Sequence, residues 1–231
     1  MSEATPPRGP AQREAADTPA AGVGSQLRRE DFSAAEAVGG PRGMVEQVLP
    51  TLLFVILFVA TREITWAAIA AVAAVALALL ARLVQRQSVG PALGGLIGVG
   101  IGAIWAIRTG DGTDFYLPGI IINAVSAAAF ALSMLLGRPL VALVAALFDP
   151  RVADWRDDPD AVRTYRRATG LFTAMYLAKF VAQVSLFSLG AVAALGVVKL
   201  VMGIPLFLLV AWVVWLMHRA LLTRRDARAA S

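Results

Sequence analysis

The stretch that decides the fold is residues 64–84, which read ITWAAIAAVAAVALALLARLV. The segment has no charged residue before Arg82. A helix needs roughly 20 predominantly apolar residues to cross the hydrocarbon core of a bilayer. Residues 64–84 therefore predict a transmembrane helix.

The composition extends this prediction to most of the chain. Of the 231 residues, 58% are hydrophobic and 16% are charged, whereas soluble domains carry roughly 45–50% apolar and about 25% charged residues. Residues 1–43 are polar, so the rest of the chain holds almost all of the apolar residues. We therefore expect an integral membrane protein embedded in a lipid bilayer.

The expected fold class is all-α, a polytopic bundle of about six transmembrane helices between residues 44 and 217. The expected spans are 45–60, 64–84, 89–107, 115–136, 168–189 and 191–217. Residues 139–148 are apolar but too few to cross, which favours an interfacial or re-entrant segment. Residues 1–43 are expected to form a disordered cytoplasmic tail and residues 218–231 a basic one.

The arginines predict the orientation of this bundle. With six spans and the N-terminus inside, 17 arginines fall in inside segments and only Arg62 and Arg108 fall outside. Arginine and lysine are enriched in cytoplasmic loops. Both termini are therefore expected in the cytoplasm, with the protein in a bacterial cytoplasmic membrane. The same arginines account for the net charge of +5, so no nucleic-acid partner is expected.

Several chemistries are excluded or disfavoured by the residues that the chain has. It contains no cysteine and a single histidine, His218, which excludes thiolate metal sites and a histidine-cluster metal site. We expect no metal, no cofactor and no enzymatic activity. A lipid-modifying activity without a familiar motif remains as an alternative.

The chain's only two lysines, Lys179 and Lys199, both lie within predicted spans. Ionisable residues within a membrane are costly and commonly mark functional sites. Lys179 shares a helix face with Tyr176 and Gln183, and Glu63 is the best candidate partner for Lys199. Both lysines are candidate site residues, with a structural ion pair or a side chain extending to the interface as the alternative.

Polar residues also lie within the fourth span. Asn123, the only asparagine, and Ser126 are three residues apart and therefore close to one helix face. Buried amides often form hydrogen bonds between membrane helices. We favour that role for Asn123, with contact to a solute or ion as the alternative.

Glycines recur every four residues in the third span. The row comprises Gly90, Gly94, Gly98 and Gly102. This spacing places them on one face, where small residues let a neighbouring helix approach closely. The row predicts a packing face, either within the bundle or towards another copy or a membrane-protein partner.

The loop after the fourth span carries a helix start. Asp158, Pro159 and Asp160 combine a capping aspartate, a proline in the first turn and an acid at the positive end of the helix dipole. We expect a helix from Pro159 into the fifth span. Residues 149–167 hold five aspartates and five arginines, which favours a solvated surface with local ion pairs over a docking surface.

Several short motifs resemble an actinobacterial family of multi-pass membrane proteins classed as a domain of unknown function. They are 39–43 (GGPRG), 108–110 (RTG), 115–119 (FYLPG), 138–140 (RPL) and 165–169 (YRRAT). This resemblance covers about residues 35–217 and implies no activity.

A more distant resemblance is to the intracellular septation protein A family. Residues Phe115, Pro118 and Asn123, followed by 137–140 (GRPL), are similar to that family's aromatic–proline helix entry and Gly-basic-Pro-Leu exit. The cytoplasmic loop departs from the family pattern. The resemblance implies a role in septation or in the envelope.

Two functions follow from these features. The first is a non-enzymatic scaffold of the cell envelope, supported by the glycine row and the septation resemblance. The second is a small transporter or channel component that uses Lys179, Lys199, Gln183 and Asn123.

Overall fold

The structure is a computed structural model, and it describes residues 40–87 and 90–229, in which every regular element is a helix. Two 3-10 helices cover Gly112–Tyr116 and Pro150–Val152. The α-helices are α1 (Gly40–Thr61), α2 (Ile64–Val84), α3 (Gly90–Thr109), α4 (Leu117–Leu135), α5 (Leu140–Phe148), α6 (Pro159–Ser188), α7 (Val192–Val201) and α8 (Ile204–Ala229). Most of the expected tail, residues 1–39, lies outside the described residues, whereas 40–43 begin α1.

The described chain contains enough long apolar helix to cross a membrane several times. Five segments qualify by length and hydropathy, and Leu93–Thr109 is a shorter apolar helix. The qualifying segments are Arg42–Thr61, Ile64–Val84, Gly112–Leu135, Pro159–Ser188 and Val192–Arg228. The all-helical, multi-pass membrane fold is therefore confirmed.

The last of these segments differs from the sequence expectation. Residues 191–217 were expected to form one helix, but α7 ends at Val201 and α8 begins at Ile204. Pro205 stands in the first turn of α8, where its missing N–H breaks no helical hydrogen bond. Helix α8 then continues to Ala229, past the expected end of the span.

A turn between α4 and α5 makes residues Leu140–Phe148 a separate short helix. Gly137 has a φ of +67°, and Arg138 N–H donates to the carbonyl of Ser133, which closes α4 in the way of a Schellman motif. The nine residues of α5 span only about 13 Å at the ordinary helical rise. Ala142 and Ala145 on α5 are fully buried, and α5 packs against α6.

Helix α6 begins where the sequence predicts. The Asp158 carboxylate accepts a hydrogen bond of 2.8 Å from the Asp160 N–H, and Pro159 occupies the first turn. The helix then runs without interruption to Ser188. It packs along α4, while α7 contacts both α1 and α6.

Charged residues gather where α1 begins and α2 and α8 end, which we call the arginine-rich end. There Glu46 on α1 pairs with Arg82 on α2 at 2.6 Å and with Arg42 at 2.7 Å. Arg42 also reaches Gln85. These contacts fasten α1 to α2 beside the basic residues of both helices.

Candidate functional site

Two intramembrane lysines meet at one cavity of about 380 Å³, which we call the lysine cavity. It lies between α1, α6, α7 and the start of α8. Its lining residues are Gln47, Val48, Thr51, Lys179, Lys199, Leu200, Gly203, Ile204 and Phe207. The lysines come from different helices, α6 and α7, so only the packing of the bundle brings them together.

Lys179 is buried in mid-helix without a counter-charge. Lys179 is 8% exposed, and its Nζ lies 5.4 Å from the ring centroid of Tyr176. Within residues 40–87 and 90–229 it forms no ion pair or hydrogen bond. An aromatic ring face attracts a cation but leaves its positive charge unbalanced.

Lys199 is half-buried rather than buried, and its ammonium group also lies beside aromatic rings. Its Nζ is 5.3 Å from the Phe115 ring centroid and 5.4 Å from that of Tyr116. The expected partner Glu63 is exposed at the turn between α1 and α2, and no ion pair joins it to Lys199 in the described part of the chain. The acid that sequence reasoning assigned to this lysine is therefore not in contact with it.

Asn123 and Gln183 pair with each other beside the cavity. The Asn123 Nδ2 donates to Gln183 Oε1 at 2.8 Å, which links α4 to α6. Gln183 is buried and Asn123 is half-buried, as is Ser126 one turn further along α4. The structure thus places this amide pair between two helices rather than on the cavity wall.

The glycine row divides between two environments. At Gly102 a side chain would overlap the carbonyl oxygen of Phe115, so α3 packs there against the first 3-10 helix. At Gly94 and Gly98 an added methyl group would meet no atom within 4 Å. Gly90 begins α3. The row therefore serves internal packing at Gly102 and leaves open space at Gly94 and Gly98.

A second buried polar cluster lies at the arginine-rich end. It comprises the buried residues Asp149, Tyr165 and His218 together with Arg151, whose side chain is 52% exposed, and we call it the Asp149 network. Asp149, Tyr165 and His218 are each 1% exposed. The His218 Nε2 lies 3.1 Å from Asp149 Oδ2, and its Nδ1 lies 2.9 Å from the Tyr165 hydroxyl.

The charge on Asp149 sets the hydrogen-bond directions in this network. Burial alone would raise the pKa of the Asp149 carboxyl, but the hydrogen bonds and charge of Arg151, with the bond from His218, hold that pKa below its ordinary value. An ionised carboxylate only accepts hydrogen bonds. His218 Nε2 therefore donates to Asp149, and in the neutral ring Nδ1 accepts from the Tyr165 hydroxyl.

Ion pairs on the surface of the same end connect α8 to the preceding loop. Arg225 donates to Asp154 at 2.8 Å and to Asp158 at 2.9 Å. Arg228 contacts Asp160. Arg163–Asp160 and Arg151–Asp149 are pairs local in sequence. The expected local ion pairs are therefore present, and the contacts with α8 add long-range ones that the sequence did not predict.

Sequence reasoning missed the Asp149 network because its members are far apart in the chain. His218 and Asp149 are 69 positions apart, and His218 and Tyr165 are 53 apart. The sequence offered one signal, a lone histidine at the end of an apolar run. That signal does not identify partners on other helices.

One family model covers the part of the chain that contains both clusters. The model of the family described as "Protein of unknown function (DUF3159)" matches residues 38–225. The chain belongs to the DUF3159 family. This match contains every residue of the lysine cavity and of the Asp149 network.

The chain is a membrane protein with several helices. Its membership of DUF3159 assigns it no activity, because the function of that family is unknown. Searches of curated proteins and of solved structures find no significant match to the chain. Any functional argument for this DUF3159 protein therefore rests on its own residues.

Proposed function

We propose that this protein binds a small anion inside the membrane and carries it across. The observation that supports this function is the lysine cavity, where Lys179 and Lys199 line one space with no acidic partner among residues 40–87 and 90–229. The proposed role is non-enzymatic, and it uses the amide pair of Asn123 and Gln183 to hold α4 against α6.

The cost of burying charge supports this choice. A lysine at the centre of a bilayer costs roughly 2.5–3.5 kcal/mol on insertion scales. Membrane proteins generally offset that cost by pairing the charge or by lining an ion path with it. Since no carboxylate of the described chain approaches either lysine, an anion from solution supplies the missing charge.

We also propose that the arginine-rich end faces the cytoplasm of a bacterium and that the protein lies in the cytoplasmic membrane. The distribution of 17 arginines against two supports this orientation. The anion would then cross between the cytoplasm and the outer side of that membrane.

Flux into liposomes tests the function directly. The full chain is reconstituted, and the uptake of chloride, acetate and inorganic phosphate is compared with protein-free liposomes. We expect uptake of at least one anion, and a fall of roughly tenfold or more for Lys179→Met and for Lys199→Met, equivalent to about 1.4 kcal/mol.

Arg166→Met is the matched control, since it removes one positive charge from an exposed site away from the cavity. It should retain wild-type uptake. Absence of uptake for all three anions, or equal uptake by the wild type and both lysine variants, contradicts the proposal.

A scaffold of the cell envelope is the second candidate function. One observation favours it, the open space at Gly94 and Gly98. The resemblance of Phe115, Pro118 and Asn123 to septation proteins is a sequence-based expectation that agrees with this role. In this role, a second copy or another membrane protein would pack on the glycine row.

Two measurements test the scaffold. Deleting the gene should change cell length or septum placement, and Gly94→Leu with Gly98→Leu should reduce self-association in nanodiscs or detergent. Gly100→Leu is the matched control, since it also faces open space on α3 but lies off the row. Normal division together with an unchanged oligomeric state would exclude this role.

A further inference from the structure

The walls of the lysine cavity are divided by chemistry. Lys179, Lys199, Gln47 and Thr51 supply polar groups, whereas Val48, Leu200, Ile204 and Phe207 supply apolar ones. These four apolar side chains would not contribute to binding a bare inorganic ion. The lining instead resembles that of small-molecule sites, which are mostly apolar with a few placed polar groups.

The volume of the cavity also favours a small molecule over a single inorganic ion. One water molecule needs only about 10–15 Å³ in this type of measurement, whereas this cavity has about 380 Å³. That value lies within the range of roughly 300–1,000 Å³ for small-molecule sites. A halide ion would leave most of the space filled by water against apolar side chains.

The break between α7 and α8 adds a feature suited to a negative group. Ile204 is the first residue of α8 and lines the cavity, so the positive end of the α8 dipole lies at the cavity wall. A side chain at Gly203 would clash with the Lys199 carbonyl. Interrupted helices in transporters commonly direct such ends towards anionic substrate groups.

We propose that the ligand of the lysine cavity is a small organic anion with one charged group and an apolar body, of which a medium-chain carboxylate is the simplest case. The carboxylate lies beside Lys179 and Lys199 at the start of α8. The apolar chain lies against Leu200, Ile204 and Phe207. This inference rests on the proposed function and specifies its substrate class.

Equilibrium binding to the full chain in nanodiscs tests the ligand class. The probes are acetate, butyrate, hexanoate and octanoate, with chloride and inorganic phosphate as inorganic anions. Hexanol and hexylamine are the neutral and cationic analogues of the same chain length. Protein-free nanodiscs are measured in parallel to subtract partitioning into the lipid.

We expect affinity to rise with chain length, by up to roughly fourfold for each buried methylene. Hexanoate should bind at least roughly tenfold more tightly than hexanol or hexylamine. The double variant Lys179→Met with Lys199→Met should lose that preference for the anion. Phe207→Ala should reduce the gain per methylene while keeping the preference for an anion.

Phe207 also packs towards Phe172, so Val48→Ser on α1 serves as a second apolar-wall variant. It should reduce the gain per methylene in the same way. Variants are compared only after each elutes as a single folded species.

The possible results separate this inference from the proposed function. Lysine-dependent binding of chloride, phosphate or acetate with no gain from longer chains overturns the organic ligand but retains an anion site. A preference for hexanoate over hexanol and hexylamine that persists in the double lysine variant overturns both, as does the absence of saturable binding for every anion.

Discussion

The Asp149 network and the lysine cavity both bury ionisable side chains, but they differ in how the charge is balanced. Asp149 accepts hydrogen bonds from Arg151 and His218, and His218 in turn bonds Tyr165. In the lysine cavity, the two ammonium groups meet aromatic rings but no carboxylate of the described chain.

The difference in charge balance indicates which of the two clusters stabilises the fold. A satisfied buried network contributes to the folded state, and removing one member leaves its partners uncompensated. A buried charge without a partner destabilises the fold and is retained where a ligand supplies the partner. Helices α6 and α8 contribute to both clusters, so the network fixes at one end the helices that form the cavity further along.

The largest expected effect comes from breaking the network. Asp149→Ala removes the carboxylate that accepts hydrogen bonds from Arg151 and from the buried His218 Nε2. We expect a loss of about 2–3 kcal/mol in the free energy of unfolding, the cost of losing a charged, buried hydrogen-bond acceptor, measured by thermal or denaturant unfolding in detergent.

Asp157→Ala is the control for this prediction, since it removes an exposed aspartate from the same loop. It should leave the unfolding temperature within the error of the wild type. Equal stability of the Asp149 and Asp157 variants would show that the network does not hold this end together.

A substitution in the lysine cavity should raise the free energy of unfolding instead of lowering it. Lys179→Met keeps the length of the side chain but removes an unpaired charge, so we expect the free energy of unfolding to rise by about 1–3 kcal/mol. The same unfolding assay, without added anion, measures it. A lower stability would indicate that Lys179 has a structural partner and would remove the contrast between the two clusters.

A smaller change in stability is expected from a substitution at the contact between α7 and α1. At Gly196 a methyl group would overlap the Val55 side chain and lie 3.0 Å from the Tyr116 hydroxyl. Gly196→Ala should cost about 1–2 kcal/mol through overpacking. Gly100→Ala, which meets open space in α3, should be neutral or slightly stabilising; a comparable loss at both positions would contradict this account.

The smallest expected effect is a pH dependence of the network. Because the folded-state pKa of Asp149 is lowered, its contribution is present above the unfolded value of about 3.9 and is lost as pH falls through the folded pKa. The stability difference between the wild type and Asp149→Ala should therefore shrink as pH drops below about 4. Unfolding curves between pH 3 and pH 7 measure this difference, and a constant gap across that range would assign the effect of Asp149 to packing alone.

Much of the fold could be predicted from the sequence because hydropathy and capping act locally. Residues 64–84 predict a helix and form one with the same bounds, and Asp158 begins α6 as expected. The break at Met202 and Gly203 was not predicted. Residues 191–217 form one apolar run, which predicts a single span when the packing of the neighbouring helices is unknown. Of the residues at this break, Gly203 lines the lysine cavity, which the sequence alone could not show.

The candidate site was predicted only as a set of residues. The sequence by itself determined that Lys179 and Lys199 lie in apolar segments and that Asn123 and Gln183 require partners, because burying charge or amide in lipid is costly at any position. Only the tertiary structure decided that the lysines share a cavity, that Asn123 meets Gln183, and that Glu63 lies away from Lys199. It also joined His218 to Asp149 across 69 positions. The physical reason is that such contacts depend on the rotation and the contact faces of packed helices, which are set by the side chains of several helices together.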